Sequence, residues 1–223
     1  MSREPFDEEY YARAYGGSRG SYDERTTPNK WLSMCGFISS LGVTPKNGLD
    51  TGCADGAFLA HARSRFPQTM WRGCEVSRYA LDRARASLPG MTLLQGSATS
   101  LPFADAELDL VTAFDVLEHV TDLPQAIREL ARVLTTHGVL VVSVPVYDGP
   151  VGWLVRLLDK DPTHVHKRAR RFWLRDCFGE QFELVRWQGL WRYYLGRYWH
   201  ARATLGRRAS PAIAMAWRRR ADR

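Results

Sequence analysis

The sequence predicts an α/β protein with a doubly wound, mostly parallel β-sheet that carries helices on both faces. Three observations favour this fold class. Short apolar segments alternate along the chain with segments of helical periodicity. The first of the short segments runs into a glycine-rich turn, which is typical of a strand in such a sheet. With 223 residues and 45% hydrophobic content, the chain can bury one sizeable core.

The first half of the chain alternates regularly between predicted helices and strands. A helix is expected over residues 29–41, directly after Pro28, and residues 44–48 form a loop because they contain proline and glycine. The remaining elements of this half follow from hydrophobic periodicity. They are strands at 47–51, 71–75 and 91–95, and helices at 57–65 and 78–87.

The second half continues this alternation and then becomes irregular. Residues 107–114 are an apolar run bounded by acids, and residues 139–144 are rich in β-branched side chains, so both predict strands. Residues 123–134 carry apolar side chains at helical spacing. Glycines and prolines interrupt residues 145–167, where a substrate lid is expected. A helix at 170–178 and a strand at 181–187 complete this half.

The charge of the protein is concentrated near its C-terminus. The formal net charge is +7, but from Arg186 onward ten arginines accompany a single acid. The N-terminal residues lack the apolar run of a secretory signal, and no stretch of about 18 uncharged apolar residues occurs. The four cysteines form no Cys-x-x-Cys pair. We therefore expect a cytoplasmic protein with reduced thiols.

The turn after the first strand has the character of a cofactor-binding loop. Asp50 ends the strand, and Gly52, Ala54 and Gly56 follow it, so the backbone can turn sharply and approach a ligand. Glu75, nineteen residues after Gly56, can accept hydrogen bonds from ribose hydroxyls. Acids in this loop would repel a pyrophosphate. They suit S-adenosylmethionine better, because its sulfonium and ammonium groups are cations.

Seven motifs occur in order along the chain. They are LDTGCADG (49–56), GCEVS (73–77), QGSATSLPF (95–103), DAELDLV (105–111), FDVLEHV (114–120), ELARVL (129–134) and GVLVVSVP (138–145). As a set, over residues 6 to about 187, they resemble the class I S-adenosylmethionine-dependent methyltransferase family. The resembling branch contains small single-domain enzymes that act on quinones, sugars, lipids and natural products. The resemblance implies a Rossmann-like seven-stranded sheet with an antiparallel last strand, and S-adenosylhomocysteine as the product.

The resemblance also implies roles for individual residues. Glu75 holds the ribose, Val76 flanks the adenine, and Ser97 and Ala98 lie at its amino edge. Phe114 and Asp115 line the cofactor at the end of the fourth strand. The loop residues that surround the methionine portion are Asp50, Gly52, Cys53, Ala54 and Gly56. Two positions depart from the family, since Ala54 replaces a glycine and Ser97 replaces an aspartate.

Tyrosines near the N-terminus are a further candidate contact with the cofactor. Similar proteins fold such a segment over the cofactor, and aromatic rings attract a sulfonium by about 0.5–2 kcal/mol. Tyr11 and Tyr15 are therefore predicted cofactor-binding residues. The alternative is that these tyrosines only pack a helix against the sheet.

Three histidines are candidate catalytic residues, because a hydroxyl acceptor needs a base to remove its proton. His119 follows the fourth strand, although in this family that segment often serves helix packing. His164 and His166 form a His-x-His pair in the lid, and similar enzymes carry such a pair near the acceptor pocket. We predict no metal site, because no third ligand occurs at a recognisable spacing.

The predicted domain organisation is a methyltransferase domain over residues 1–187 and a basic, aromatic element over 188–223. The domain includes an N-terminal cap (1–42) and the lid (146–167). Residues 187–205 have the spacing of an amphipathic helix, although a short strand followed by a helix is equally compatible. The element either packs on the domain, contacts an anionic membrane through residues 187–220 or, least favoured, binds nucleic acid.

The sequence thus predicts methyl transfer to an oxygen or nitrogen of a small or lipid-linked acceptor. RNA or protein as the acceptor, and a cofactor-binding protein without catalysis, are the alternatives. The sequence makes no prediction about the oligomeric state.

Overall fold

The computed structural model describes residues 6–15, 27–159, 161–192, 198–201 and 209–221. Its strands are β1 (Asn47–Thr51), β2 (Met70–Glu75), β3 (Thr92–Gln95), β4 (Leu108–Phe114), β5 (Leu134–Pro145), β6 (Phe182–Arg192), β7 (Tyr198–Ala201) and β8 (Ala212–Arg219). They form one sheet in the order β3-β2-β1-β4-β5-β8-β6-β7. Strands β1 to β5 are parallel, and β8 lies antiparallel between β5 and β6. The predicted mostly parallel sheet with an antiparallel last strand is confirmed.

Helices cover both faces of this sheet. They are α1 (Glu8–Tyr15), α2 (Thr27–Ser39), α3 (Ala57–Arg65), α4 (Arg78–Ser87), α5 (Leu123–Val133) and α6 (Gly152–Leu158). Buried side chains of α2, α3 and α4 form one apolar cluster with the sheet, and those of α5 form a second cluster. Because both faces are covered, the central strands are almost continuously apolar, as in Val139–Val144 of β5.

The elements before residue 145 agree with the sequence predictions to within a few residues, except that β5 begins five residues early. After residue 145 the differences are larger. The helix expected at 170–178 is a single π-helical turn, Phe172–Asp176. The lid region contains α6 and then, over its described residues, a segment without regular secondary structure.

The C-terminal segment corrects the helical interpretation of residues 187–205. Within the described residues, β6 and β7 occupy this region as an antiparallel pair. The physical reason is β8, an apolar run buried on both faces whose backbone groups need a partner strand on each side. β5 pairs with β8 on one side and β6 on the other. β7, at the edge, is an eighth strand beyond the seven expected.

The position of β8 affects both the predicted domain boundary and the predicted membrane contact. The boundary after residue 187 falls inside β6, and the strand that completes the sheet lies beyond it. Residues 212–217 are buried in the sheet and cannot face a bilayer. Residues 193–197 and 202–208 lie outside the described part of the chain. Among the helices that the structure describes, none is long and apolar enough to cross a membrane.

Candidate functional site

A cavity of about 740 Å³ opens at the carboxyl ends of β1, β2 and β4. The strand order reverses between β1 and β4, which is where doubly wound sheets bind ligands. The cavity lining contains most of the predicted site residues, namely Asp50, Gly52, Cys53, Ala54, Glu75, Val76, Ser97, Ala98, Phe114, Asp115, Tyr11 and His119. Gly56, His164 and His166 do not line it. The side chain of Tyr15 lies outside the described residues.

The turn after β1 needs left-handed backbone at three positions. Gly52, Ala54 and Gly56 have φ angles of 69°, 47° and 83°. A Cβ atom on Gly52 would lie 2.5 Å from a methyl group of Val116, so this position has no room for a side chain. A Cβ atom on Gly56 would lie 2.5 Å from Leu88, so Gly56 serves helix packing beside the cavity. Ala54 adopts the left-handed conformation at a cost of about 1–2 kcal/mol, which the family's usual glycine avoids.

Asp50 is a buried carboxyl group in the cavity wall. It is 3% exposed, and its Oδ1 accepts a hydrogen bond of 2.6 Å from the Thr112 hydroxyl on β4. Burial raises the pKa of Asp50 to about 7, although the Thr112 hydroxyl and the Lys30 charge lower it. A cationic ligand group beside Asp50 would favour its charged form.

Glu75, at the end of β2, is held in one orientation by backbone donors. Its Oε2 accepts from the Ala54 amide and its Oε1 from the Ser77 amide, each at 2.9 Å. Burial raises the pKa of Glu75, and these amides oppose that shift. A carboxylate accepts about four hydrogen bonds, so Glu75 can also accept them from ligand hydroxyls.

Lys30, the partner of the cavity-lining Asp115, is a buried residue that sequence reasoning missed. It is 2% exposed, its Nζ donates to Asp115 Oδ2 at 2.8 Å, and it lies 4.2 Å from the centre of the Trp31 ring. Asp115 has a φ of 57° and also accepts from the Ser143 hydroxyl at 3.0 Å. A lysine on the apolar face of α2 indicates a carboxylate partner, because buried lysines are almost always paired. The periodicity of α2 could therefore have marked Lys30.

The part of the cavity wall formed by Val76, Ser97 and Phe114 combines apolar and small polar groups. Val76 is exposed at the cavity, and Ser97 bonds the hydroxyl and amide of Thr99. Phe114 stacks edge-on against Phe58 with ring centres 4.8 Å apart. This wall has the mixture of an apolar surface and hydrogen-bonding groups that a purine base requires.

The N-terminal helix α1 brings aromatic rings over the cavity. Tyr11 is buried and lines the cavity together with Phe6 and Tyr10. The Tyr10 hydroxyl lies 3.4 Å from Asp161 Oδ2 in the lid, so α1 and the lid meet above the site. Burial and the nearby Asp161 raise the pKa of Tyr10.

The structure brings His119 and His164 together at one end of the cavity. Their ring centres are 4.6 Å apart, and only His119 lines the cavity. Burial, and then the neighbouring His164, lower the pKa of His119 to about 4. His166 lies apart from this pair, because its Nε2 bonds the Val120 carbonyl at 2.9 Å.

His164 belongs to a hydrogen-bonded group that the sequence did not predict. Its Nδ1 lies 2.9 Å from Asp159 Oδ2 and 3.1 Å from the Tyr147 hydroxyl. Tyr147 and Lys167 also bond Asp159. Burial alone would raise the pKa of Asp159, but the bonds from Tyr147 and His164 lower it to about 2. Asp159 follows α6 directly, so the lid helix ends at this group.

Glu118 lies close to both His119 and His164. One ligand atom from each of Glu118, His119 and His164 lies within 4.8 Å of the other two. Sequence reasoning found no third ligand for the His-x-His pair. The structure supplies two side chains from the turn after β4, a segment more than forty residues away.

Comparison with known proteins relates the central part of the chain to methyltransferases. Residues 49–142 match a family described as a methyltransferase domain. A Mycobacterium tuberculosis protein named "Probable S-adenosylmethionine-dependent methyltransferase" is 34% identical over 104 residues. The match covers 46% of this chain and 36% of that protein, so the chain spans about a third of the relative's length.

Solved structures share the whole fold at low sequence identity. A chain of a Haloferax volcanii complex between the Trm112 methyltransferase activator and a methyltransferase has a TM-score of 0.74. It is 17% identical, and the match covers 100% of this chain and 99% of that one. A Thermotoga maritima SAM-dependent methyltransferase has a TM-score of 0.67 at 17% identity, covering 87% and 91% of the two chains.

Proposed function

Because this chain belongs, through its central domain, to the class I S-adenosylmethionine-dependent methyltransferase family, we propose that it methylates an oxygen or nitrogen of a small or lipid-linked metabolite. One observation carries the proposal. A single cavity has the buried carboxyl groups Asp50 and Glu75 on one side and the imidazole of His119 on another. This arrangement provides for both a cationic, ribose-bearing donor and an acceptor.

S-adenosylmethionine is the cofactor of this family, and the residues present fit it. Asp50 would face the cofactor's positive charge, while Glu75 would accept from the ribose hydroxyls. The adenine would lie against Val76, Ser97 and Ala98. Gly52 packs directly against Val116, and both residues line the cavity, so the backbone of the turn forms part of the cavity wall. When bound, the cofactor supplies a methyl group on a positively charged sulfur.

The contribution of the protein to the reaction is mainly alignment. Methyl transfer is an in-line displacement, so most of the barrier reduction comes from holding the acceptor atom close and in line. His119 lines the cavity, and its lowered pKa makes it neutral at neutral pH. A neutral imidazole keeps one nitrogen lone pair. The end of the cavity near His119 and His164 therefore suits an acceptor that carries a hydroxyl or amine.

The lid supports a lipid-linked acceptor. Trp153 and Leu157 of α6 are 68% and 67% exposed, and Arg156 is exposed beside them. An exposed Trp/Leu surface with a basic neighbour suits the headgroup region of an anionic membrane. Since α6 ends at Asp159, which bonds His164, a surface-bound acceptor would enter at the catalytic end. We therefore propose the lid as a membrane contact, while the contact through residues 187–220 stays a prediction except at residues 212–217, which are buried.

Calorimetry with S-adenosylhomocysteine, followed by transfer of a labelled methyl group, tests the proposed function. We expect one binding site per chain and transfer to members of a panel of small hydroxyl and amine compounds. Glu75→Gln should weaken binding, while Glu183→Gln, at an exposed position of β6, serves as the matched control. Transfer only to RNA or protein would replace the proposed acceptor class. Binding without transfer to any acceptor would contradict catalysis, and a lack of binding would contradict the proposal as a whole.

A further inference from the structure

We infer that Glu118, His119 and His164 form a binding site for a divalent transition-metal ion at the acceptor end of the cavity. The role of the metal rests on the proposed function, but its binding does not. Two imidazoles and one carboxylate, each with a ligand atom within 4.8 Å of the others, match a three-ligand metal site. Metal–ligand bonds of about 2.0–2.2 Å place tetrahedral ligands about 3.3–3.6 Å apart, so atoms separated by as much as 4.8 Å would approach by about 1 Å on binding.

The hydrogen bonds around His119 favour one tautomer of its ring. The Thr163 hydroxyl donates its proton to Asp161 Oδ1 at 2.6 Å, so Thr163 Oγ1 is left as an acceptor. His119 Nδ1 lies 2.8 Å from that oxygen, and we therefore assign it as the donor. The lone pair of the neutral ring is then on Nε2, where it can bind a metal.

The same reasoning applies to His164. Its Nδ1 lies 2.9 Å from the Asp159 carboxylate, which can only accept, so Nδ1 carries the proton and Nε2 the lone pair. A histidine ligand whose second nitrogen donates to a carboxylate is the usual outer-shell arrangement of a metal site. Tyr147 and Lys167 hold Asp159 in place.

Backbone hydrogen bonds join the two segments that carry the ligands. The carbonyl of Glu118 accepts from the amides of Val165 and His166, at 2.9 and 3.0 Å. The side chain of Glu118 is fully buried beside the two imidazoles. The two segments that carry the ligands are therefore joined before a metal binds, which favours affinity.

The donor set indicates the class of metal. Imidazole nitrogens suit zinc, iron, nickel and similar ions, whereas magnesium and calcium prefer oxygen ligands. Three protein ligands leave coordination positions open, as in catalytic rather than structural sites. Because His119 lines the cavity, a metal here would bind an acceptor through its oxygen or nitrogen and orient it.

Titration calorimetry of the chelator-treated, tag-free protein with Co²⁺, together with the visible absorption of bound Co²⁺, tests the site. We expect one ion per chain. Glu118→Gln and His164→Gln should each weaken Co²⁺ binding at least about 100-fold. Asp159→Asn should weaken it by about 10- to 100-fold, as is usual for an outer-shell partner. His166→Gln is the matched control and should bind Co²⁺ like the wild type.

The outcomes separate this inference from the proposed function. Thermal melting and S-adenosylhomocysteine binding, measured on each variant, show whether the chain still folds. Loss of Co²⁺ binding with both properties intact supports the site. Wild-type Co²⁺ affinity in the Glu118 and His164 variants, equal loss in His166→Gln, or no stoichiometric binding would overturn the inference. Methyl transfer that persists without bound metal would leave the proposed function standing while removing the metal's role.

Discussion

Replacing Asp50 by asparagine should stabilise the ligand-free protein at neutral pH and weaken cofactor binding. Burial raises the pKa of Asp50 from 3.8 to about 7, so the folded state holds this proton more tightly than the unfolded state. The free energy of unfolding should therefore fall as the pH rises from about 4 to about 7. At 1.36 kcal/mol per pKa unit, the loss is on the order of 4 kcal/mol. Asparagine has no charge to bury and still offers an oxygen to Thr112.

Urea unfolding of the wild type and of Asp50→Asn, at several pH values between about 4 and 8, measures this difference. The stability advantage of the variant should be small near pH 4 and reach a few kcal/mol above pH 7. Calorimetry should show at least tenfold weaker binding of S-adenosylhomocysteine, because the variant cannot pair with the ligand's ammonium group. Asp82→Asn, at an exposed position of α4, is the control. A variant that is destabilised equally at every pH would refute the reasoning.

Three further predictions concern the rest of the site. Glu75→Gln places an amide donor opposite a backbone donor. Calorimetry should therefore show S-adenosylhomocysteine binding about 10- to 150-fold more weakly, which is equivalent to about 1.5–3 kcal/mol. Wild-type affinity would remove Glu75 from the ribose site. Gly52→Ala should lower the urea midpoint of unfolding, because its Cβ atom would lie 2.5 Å from Val116 and its φ is 69°. Gly42 has the same φ but open space around it, so Gly42→Ala measures the cost of the left-handed backbone alone. Equal losses in these two glycine variants would contradict the close contact. His164→Ala should reduce turnover at unchanged S-adenosylhomocysteine affinity, and normal turnover would exclude His164 from the reaction.

The sequence predicted the parts of the fold and site that depend on local patterns. Hydrophobic periodicity located the strands up to β5, and the loop from Asp50 to Gly56 identified the cofactor end because its residues are adjacent in the chain. The helix predicted for 187–205 failed for a non-local reason. Those residues pair with β8, and a pairing partner is not encoded in the spacing of one segment.

The acceptor end was less predictable because its contacts join distant segments. His164 was a candidate from its motif, but Asp159 and Glu118 gained meaning only when the fold placed them beside it. The Lys30–Asp115 pair, separated by 85 positions, is a similar case. In each case the contact forms only because the fold brings two distant segments together, and the residue pattern of either segment does not predict that.

The central position of β8 has a consequence for how the chain folds. β5 leaves one row of backbone groups without a partner until residues 212–219 arrive, some seventy positions later in synthesis. During that interval the Val139–Val144 run presents an open, apolar strand edge, which is a template for association between chains. Pairing across such a sequence separation is slow, so completion of the sheet depends on its last strand. Shortening the chain before residue 212 should therefore cause aggregation rather than yield a smaller folded domain.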